Sequence, residues 1–333
     1  MGAPLLSHAG IATFLRAPQR TFAQLEPETI ALYGAPTDWT LGTRPGARYG
    51  PRAIRDTSVH LAWYLETSAA RSLVDMRTGE AISFDRRAER VVDLGDVPIF
   101  PVDVERTTAS IRTAQLAVLR AGALPIMLGG DHFVTYPAML GQLQYAEATG
   151  ERIGFIQFDA HFDLVDDNPV FGRYYHGSLS RRIAELPQMR TGNMVWIGIN
   201  GYARVEQLEF IEERGGTVFT RQDVRRHGMA SVVDEALARA TDGCQRVYVS
   251  IDIDMLDGGI ASGAGSINID GCTAGELLDA IECLAQAPIA GLDLVEVSPL
   301  LDPSEHTARI AAVALTNFIC RRGAGTGVAD ELR

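Results

Sequence analysis

The sequence predicts a single α/β domain, with a mostly parallel β-sheet flanked by helices on both faces. Three observations carry this. Short, β-branched-rich apolar runs without polar alternation recur along the chain, as strands covered on both faces require. Amphipathic stretches that end near a glycine lie between them. The 333 residues, 46% of them apolar, can bury one large core, and no internal repeat of fixed period divides them.

The elements follow in order. An arm of about 28 residues, "SHAGIATFLRAPQRTFAQLEP" (7–27) at its centre, precedes the first strand and carries apolar residues that could cover a neighbouring copy. Strands are expected in "TIALYGAP" (29–36), "VVDLGDV" (91–97), "LPIMLGGDH" (124–132), "IGFIQFDAH" (153–161), "NMVWIGIN" (193–200), "RVYVSIDIDM" (246–255) and "AGLDLVEVSP" (290–299). Helices are expected between them, in stretches such as "RTTASIRTAQLAVLRAG" (106–122) and "ASVVDEALARATDG" (230–243), which makes the pattern βαβ alternation. The domain spans 1–333, and its glycine-rich end (323–333) is expected to fray.

Composition narrows the partners. With 30 basic against 42 acidic residues the formal charge is −12, the wrong sign for a nucleic-acid or anionic-membrane binder, so cations are the better candidates. Cys244, Cys272, Cys283 and Cys320 show no CxxC spacing, and no basic patch precedes an apolar h-region at the N-terminus. A reduced, cytoplasmic protein is expected. No apolar run approaches the roughly 20 residues that span a bilayer.

Polar residues collect where apolar runs stop, which in an open parallel sheet is the carboxyl edge where ligands bind. In "FIQFDAHFDL" (155–164), Asp159, His161 and Asp163 alternate; Asp252 and Asp254 do the same in "SIDIDML" (250–256). A strand's period of two would turn each set to one side. His132, closing "MLGGDH", is the sixth candidate. Taken alone, Asp-x-His-x-Asp is equally a surface turn or a satisfied strand end, and Gly-Gly-Asp is ordinary turn chemistry. Together at one edge, four carboxylates would repel one another unless cations sat between them. Two divalent ions sharing bridging carboxylates fit the inventory. Without a thiolate, manganese is favoured over structural zinc, and nickel is the alternative.

These motifs resemble those of the ureohydrolase family, the arginases and agmatinases, and of its agmatinase-like branch in particular. The resemblance runs from "GAPTDWTLGTRPGARYGPRAIR" (34–55) to "LVEVSP" (294–299), with GGDH, DAHxD and SxDIDxxD in order. It implies the family's arginase-like three-layer αβα fold and a binuclear manganese centre that hydrolyses guanidino groups. It further implies one metal on His132, Asp159, Asp163 and Asp252, and another on His161, Asp159, Asp252 and Asp254. His176 in "FGRYYHG" (171–177) would serve in proton transfer, and Glu296 would pair with the substrate guanidinium. Read without the resemblance, His176 is equally a packing or capping residue and Glu296 a strand-end charge. The implied reaction yields urea and an amine, because two ions sharing a water lower its pKa enough for attack at neutral pH.

Departures from the family pattern bear on the substrate. Phe133 follows GGDH where a small serine is usual, Asn200 stands for an arginine in "GIN", and Gly265 to Gly271, including Asn268, replaces a Gly-Thr-Pro-Glu-x-Gly-Gly segment. Phe133, Asn200 and Asn268, with Trp39 in "PTDWTLGTRPG", are the candidate substrate-binding residues. The expected substrate is a small cationic guanidino compound of the agmatine, guanidinobutyrate or guanidinopropionate type. The alternatives are an atypical guanidine such as free guanidine or a biguanide, with nickel, or a subunit of a hetero-oligomeric ureohydrolase. The resemblance also implies a homo-oligomer, trimeric or hexameric.

Overall fold

The computed structural model describes residues 6, 9–40, 42–68, 72–79, 81–83 and 90–322. The predicted glycine-rich tail and the first residues of the arm lie outside them.

The strands are β1 (Ile30–Ala35), β2 (Ser72–Val74), β3 (Ala81–Ser83), β4 (Val91–Asp96), β5 (Leu124–Gly129), β6 (Ile153–Phe158), β7 (Met194–Ile199), β8 (Thr217–Thr220), β9 (Arg246–Asp252) and β10 (Ile289–Val295). The helices are α1 (Gly50–Thr67), α2 (Val104–Arg120), α3 (Thr135–Thr149), α4 (Leu179–Ala184), α5 (Val205–Arg214), α6 (Arg221–His227), α7 (Met229–Ala240), α8 (Ala274–Gln286) and α9 (His306–Arg321). Eight strands form one parallel sheet in the order β4-β1-β5-β10-β9-β6-β7-β8, and β2 and β3 make a separate antiparallel pair. The expected αβα architecture is the observed one.

Side-chain alternation on each strand feeds two cores. Ile126 and Leu128 of β5 join Ile281, Leu315 and Phe318 on one face, whereas Met127 joins Ile111, Met139 and Leu143 on the other. Local chemistry fixes the helix ends. Asp103 caps α2 by accepting the Arg106 N–H, Thr273 and Glu276 close a capping box on α8, and Gly150 and Gly215 end α3 and α5 with positive φ.

Register sets up the site. Leu128 of β5 lies beside Leu294 of β10, Leu294 beside Ile251 of β9, and Ile251 beside Phe158 of β6. Four strands distant in sequence therefore end side by side.

Three elements differ from the sequence reading. α1 begins inside the segment 34–55, for which the sequence reading gave no helix; Pro51 pre-sets its first turn, and Ile54, Ser58, Val59, Ala62 and Leu65 form its buried stripe. β8 has four half-buried residues, too few for a periodic signal. The N-terminal arm is partly used within its own chain: Phe14, Leu15 and Ala17 are buried there, while Leu6 and Ile11 stay exposed. The Phe14 N–H donates to Asp93 Oδ2 at 2.8 Å and the Leu15 N–H to Ser58 Oγ at 2.8 Å. Arg55 closes on both oxygens of Asp93 at 2.8 and 3.0 Å, so a buried ion pair anchors the arm on edge strand β4.

Candidate metal centre

The site starts where β5 stops. A Cβ on Gly130 would lie 2.0 Å from the Thr37 carbonyl oxygen, so only glycine lets the chain turn there and deliver Asp131 and His132. His132 opens a short 3-10 turn that runs into α3. From β10, the Glu296 N–H donates to Gly130 O at 2.9 Å, and the His132 N–H returns a bond to Glu296 Oε1 at 2.8 Å. Glu296 and Asp163 have φ of 67° and 52°, left-handed backbone that costs a non-glycine residue about 1 to 3 kcal/mol. Asp131 is fully buried, and burial pushes its carboxyl up to about 6 against the bonds it receives from Thr40 and Thr37.

The period-two argument from sequence does not describe how the acids meet. β6 ends at Phe158, so Asp159, His161 and Asp163 lie in the turn beyond it, and Asp254 lies in a 3-10 turn just after β9. Hydrogen bonding shapes both turns. Asp159 Oδ1 accepts the His161 N–H at 2.6 Å, and Asp252 Oδ1 accepts the Asp254 N–H at 2.8 Å.

All six candidate ligands converge. His132 Nδ1 lies 3.0 Å from Asp159 Oδ2, 3.1 Å from Asp163 Oδ2 and 3.0 Å from Asp252 Oδ2. His161 Nδ1 lies 3.3 Å from Asp159 Oδ1 and 3.2 Å from Asp254 Oδ2. Asp159 thus turns one oxygen to each imidazole. The His132 group is buried throughout, while the His161 side chain is 48% exposed and opens the second group to the cavity.

Electrostatics strain this arrangement. Burial, then Asp254 and Asp159, push the Asp252 carboxyl well above the usual carboxylate range, and burial with Asp159 brings Asp163 up to about 6. Asp159 goes the other way, since His132 and His161 outweigh its burial. Burial opposes charge on His132, yet Asp159, Asp163 and Asp252 hold its pKa well above that of a free imidazole.

The tautomer of His132 tests whether cations fit. Ser250 Oγ lies 2.6 Å from Asp293 Oδ1, and the Tyr248 hydroxyl donates to Asp293 Oδ2 at 2.8 Å. Ser250 gives its proton to the carboxylate and therefore accepts from His132 Nε2, 2.9 Å away. A neutral imidazole then carries its lone pair on Nδ1, aimed among three carboxylates that, without a cation, would hold a proton there instead. A divalent cation satisfies such a point; a set of oxygen and imidazole donors suits manganese or nickel.

A cavity of about 210 Å³ opens above the cluster, lined by His161, Asp163, Asp252, Asp254, His176, Asn200, Ser266 and Glu296 among others. His176 is held by its N–H to Thr40 Oγ1 at 3.1 Å, and burial, then His132 and His161, lower its pKa to about 4. Glu296 has one oxygen, Oε2, without a partner.

The substrate candidates divide. Asn200 lines the cavity and ties down the facing loop, its Nδ2 donating to Ile269 O at 2.9 Å and Asp270 O at 3.1 Å. Asn268 Oδ1 accepts from the same Asn200 Nδ2 at 3.4 Å, and Asn268 is not among the lining residues. Trp39 is not among them either. Phe133 is fully buried against Tyr136, with ring centroids 6.0 Å apart, and does not reach the cavity. The sequence reading passed over Gln157, Ser180, Ser250 and Asp293. Gln157, Ser250 and Asp293 had a signal, for each is a polar residue inside an otherwise apolar strand, where it is costly unless satisfied.

Residues 28–320 match the arginase family. Human guanidino acid hydrolase, mitochondrial, is 32% identical over 314 residues, covering 93% of this chain and 82% of that protein. Guanidinopropionase of Pseudomonas aeruginosa is 32% identical over 321 residues, 94% of this chain and 92% of that one. The solved structure of proclavaminate amidino hydrolase from Streptomyces clavuligerus superposes with a TM-score of 0.80 at 29% identity, covering 96% of this chain and 99% of that one. No helix among the described residues is long and apolar enough to cross a membrane.

Proposed function

The chain belongs to the arginase family, hydrolases of guanidino C–N bonds, and from that premise we propose that it is a binuclear-metal amidinohydrolase that cleaves a small guanidino compound to urea and an amine. The observation that carries this is the shared carboxylate: Asp159 turns Oδ2 to His132 and Oδ1 to His161, at 3.0 and 3.3 Å. His132, Asp159, Asp163 and Asp252 would hold one divalent ion and His161, Asp159, Asp252 and Asp254 the other, with Asp159 and Asp252 bridging. The donors favour manganese over nickel, since four of six are hard carboxylates. Bound ions would supply the acidity that makes water a nucleophile at neutral pH.

The chain's own residues supply the rest. Glu296 Oε2, unpartnered at the cavity wall, accepts charge-assisted hydrogen bonds from the guanidinium. Burial, then Asp252 and Asp131, raise its pKa well above the usual carboxylate range, a cost that a cationic substrate removes. His176, kept neutral by burial, takes a proton on its imidazole and passes it to the departing amine. Among the described residues no Lys or Arg lines the cavity, whereas Asn200, Tyr202, Gln207 and Ser266 do, which favours a tail without a carboxylate.

A panel of agmatine, guanidinobutyrate, guanidinopropionate, arginine, guanidine and a biguanide, assayed for urea with manganese and with nickel, tests this reading. Agmatine or guanidine should exceed the guanidino acids. A preference for guanidinopropionate would refute the tail assignment while leaving the reaction class intact.

A further inference from the structure

We propose that Gln157 is a positioning residue of the metal centre: locked by Ser180, its amide holds the Asp159 carboxylate in the orientation that gives each imidazole ligand its own oxygen. This rests on the binuclear reading above.

Gln157 is the residue before the last of β6, in the otherwise apolar run "IGFIQF", and is fully buried. A buried amide is tolerated only when its donors and acceptor are used. Here Nε2 donates to Asp159 Oδ2 at 2.7 Å and lies 3.4 Å from the His161 carbonyl oxygen, while Oε1 accepts from the Ser180 hydroxyl. The two ends of an amide are distinguished only by what they face. A carboxylate only accepts, so nitrogen must face Asp159. Ser180, itself fully buried near the start of α4, donates to the oxygen end and holds the amide in place.

Asp159 is thereby pinned at both oxygens. The His161 N–H holds Oδ1 at 2.6 Å, a backbone bond that survives any side-chain change. Gln157 holds Oδ2, the oxygen 3.0 Å from His132 Nδ1. With Oδ2 released, the carboxylate can rotate about its Cβ–Cγ bond, and its bridging geometry is lost. An amide also does this without adding positive charge, which a Lys or Arg at the same place would set against the metals. Because Ser180 lies four positions after His176, the same lock ties the segment carrying the proton carrier to the bridging ligand.

Manganese titrated into metal-free protein, followed by electron paramagnetic resonance and calorimetry, tests this. Two carboxylate-bridged ions give an exchange-coupled spectrum, distinct from the six lines of isolated Mn2+. In wild-type protein the coupled spectrum is expected. In Gln157→Leu it should be lost or require about 10- to 100-fold more metal, as for removal of a partner outside the ligand set, and Ser180→Ala should move the same way by less. Circular dichroism establishes that each variant is folded; if Gln157→Leu is not, Ser180→Ala and Gln157→Glu, which keeps the size and the bond from Ser180 but loses the donor, carry the test. A coupled spectrum with unchanged affinities in the folded variants would overturn the role of Gln157. Absence of coupling in wild-type protein loaded with two equivalents would instead sink the binuclear reading, and this inference with it.

Discussion

One hydrogen bond, from the His132 N–H to Glu296 Oε1 at 2.8 Å, ties the end of β5 to the end of β10. It uses one oxygen of Glu296 on the backbone that carries a candidate metal ligand, and leaves Oε2 without a partner. Under the proposed function, binding of the guanidinium and placement of His132 depend on the same side chain.

Glu296→Gln separates the two duties, because the amide oxygen still accepts the His132 N–H while the charge is lost. kcat/KM is expected to fall about 10- to 100-fold, the worth of roughly 1.5 to 3 kcal/mol for a hydrogen bond to a charged group. Metal content should stay at the wild-type level. A metal-depleted Glu296→Gln protein would show that the charge supports the ligands rather than the substrate.

His176→Ala should lower turnover by about 10² or more with the metals retained, the range for loss of a general acid or base. A second readout is stability against pH. With its folded pKa lowered to about 4, His176 binds fewer protons folded than unfolded between about 6.5 and 4. Its effect is thus to make stability fall as pH drops through that window. His176→Asn should lose less melting temperature than wild type between pH 6.5 and 4; an equal loss in both proteins would mean that the imidazole pays no burial cost.

Asp293→Asn and Ser250→Ala should each weaken metal binding about 10- to 100-fold, because both disturb the chain that leaves His132 Nδ1 bare. Since Asp293 reaches His132 through Ser250, the double variant should be little worse than Ser250→Ala. Fully additive losses, measured by calorimetry, would argue that Asp293 acts on the fold alone.

Phe133→Ser is expected to cost about 3 to 5 kcal/mol of stability, as for other large-to-small changes at a fully buried aromatic, and to leave substrate ranking unchanged. Asn200→Ala should do the reverse. It frees the loop that borders the cavity and should alter discrimination among guanidino compounds by about 1 to 3 kcal/mol while sparing the melting temperature. Denaturant unfolding together with the urea panel reads both.

How much of this was legible in the sequence depended on the kind of signal. The seven long apolar runs gave seven of the eight strands of the main sheet, because strands covered on both faces have no polar alternation to confuse them. β8 was not legible, having only four half-buried residues. α1 was masked by the glycines and proline before it, although its stripe from Ile54 to Leu65 is regular. The six acids and imidazoles stood out because charge at the end of an apolar run needs a reason. What joins them did not, since Asp159 to Asp163 meet through a turn with a left-handed Asp163, and not through strand alternation. Phe133 was drawn into the site by its place next to His132 and Trp39 by the loop "PTDWTLGTRPG" that carries it, yet position along the chain says nothing of which way a side chain packs. Gln157 and Ser180 are distant in sequence, and only the fold brings a hydroxyl to that amide.

The most direct measurement is urea release by protein stripped of metal and then reloaded with known equivalents of manganese or nickel, across the guanidino panel, with metal counted in the same samples. Activity should be absent without metal and reach its maximum at two equivalents, with at least one small guanidino compound giving stoichiometric urea and amine. Full turnover with one equivalent or none, or no urea from any compound in protein that carries two, would contradict a binuclear amidinohydrolase.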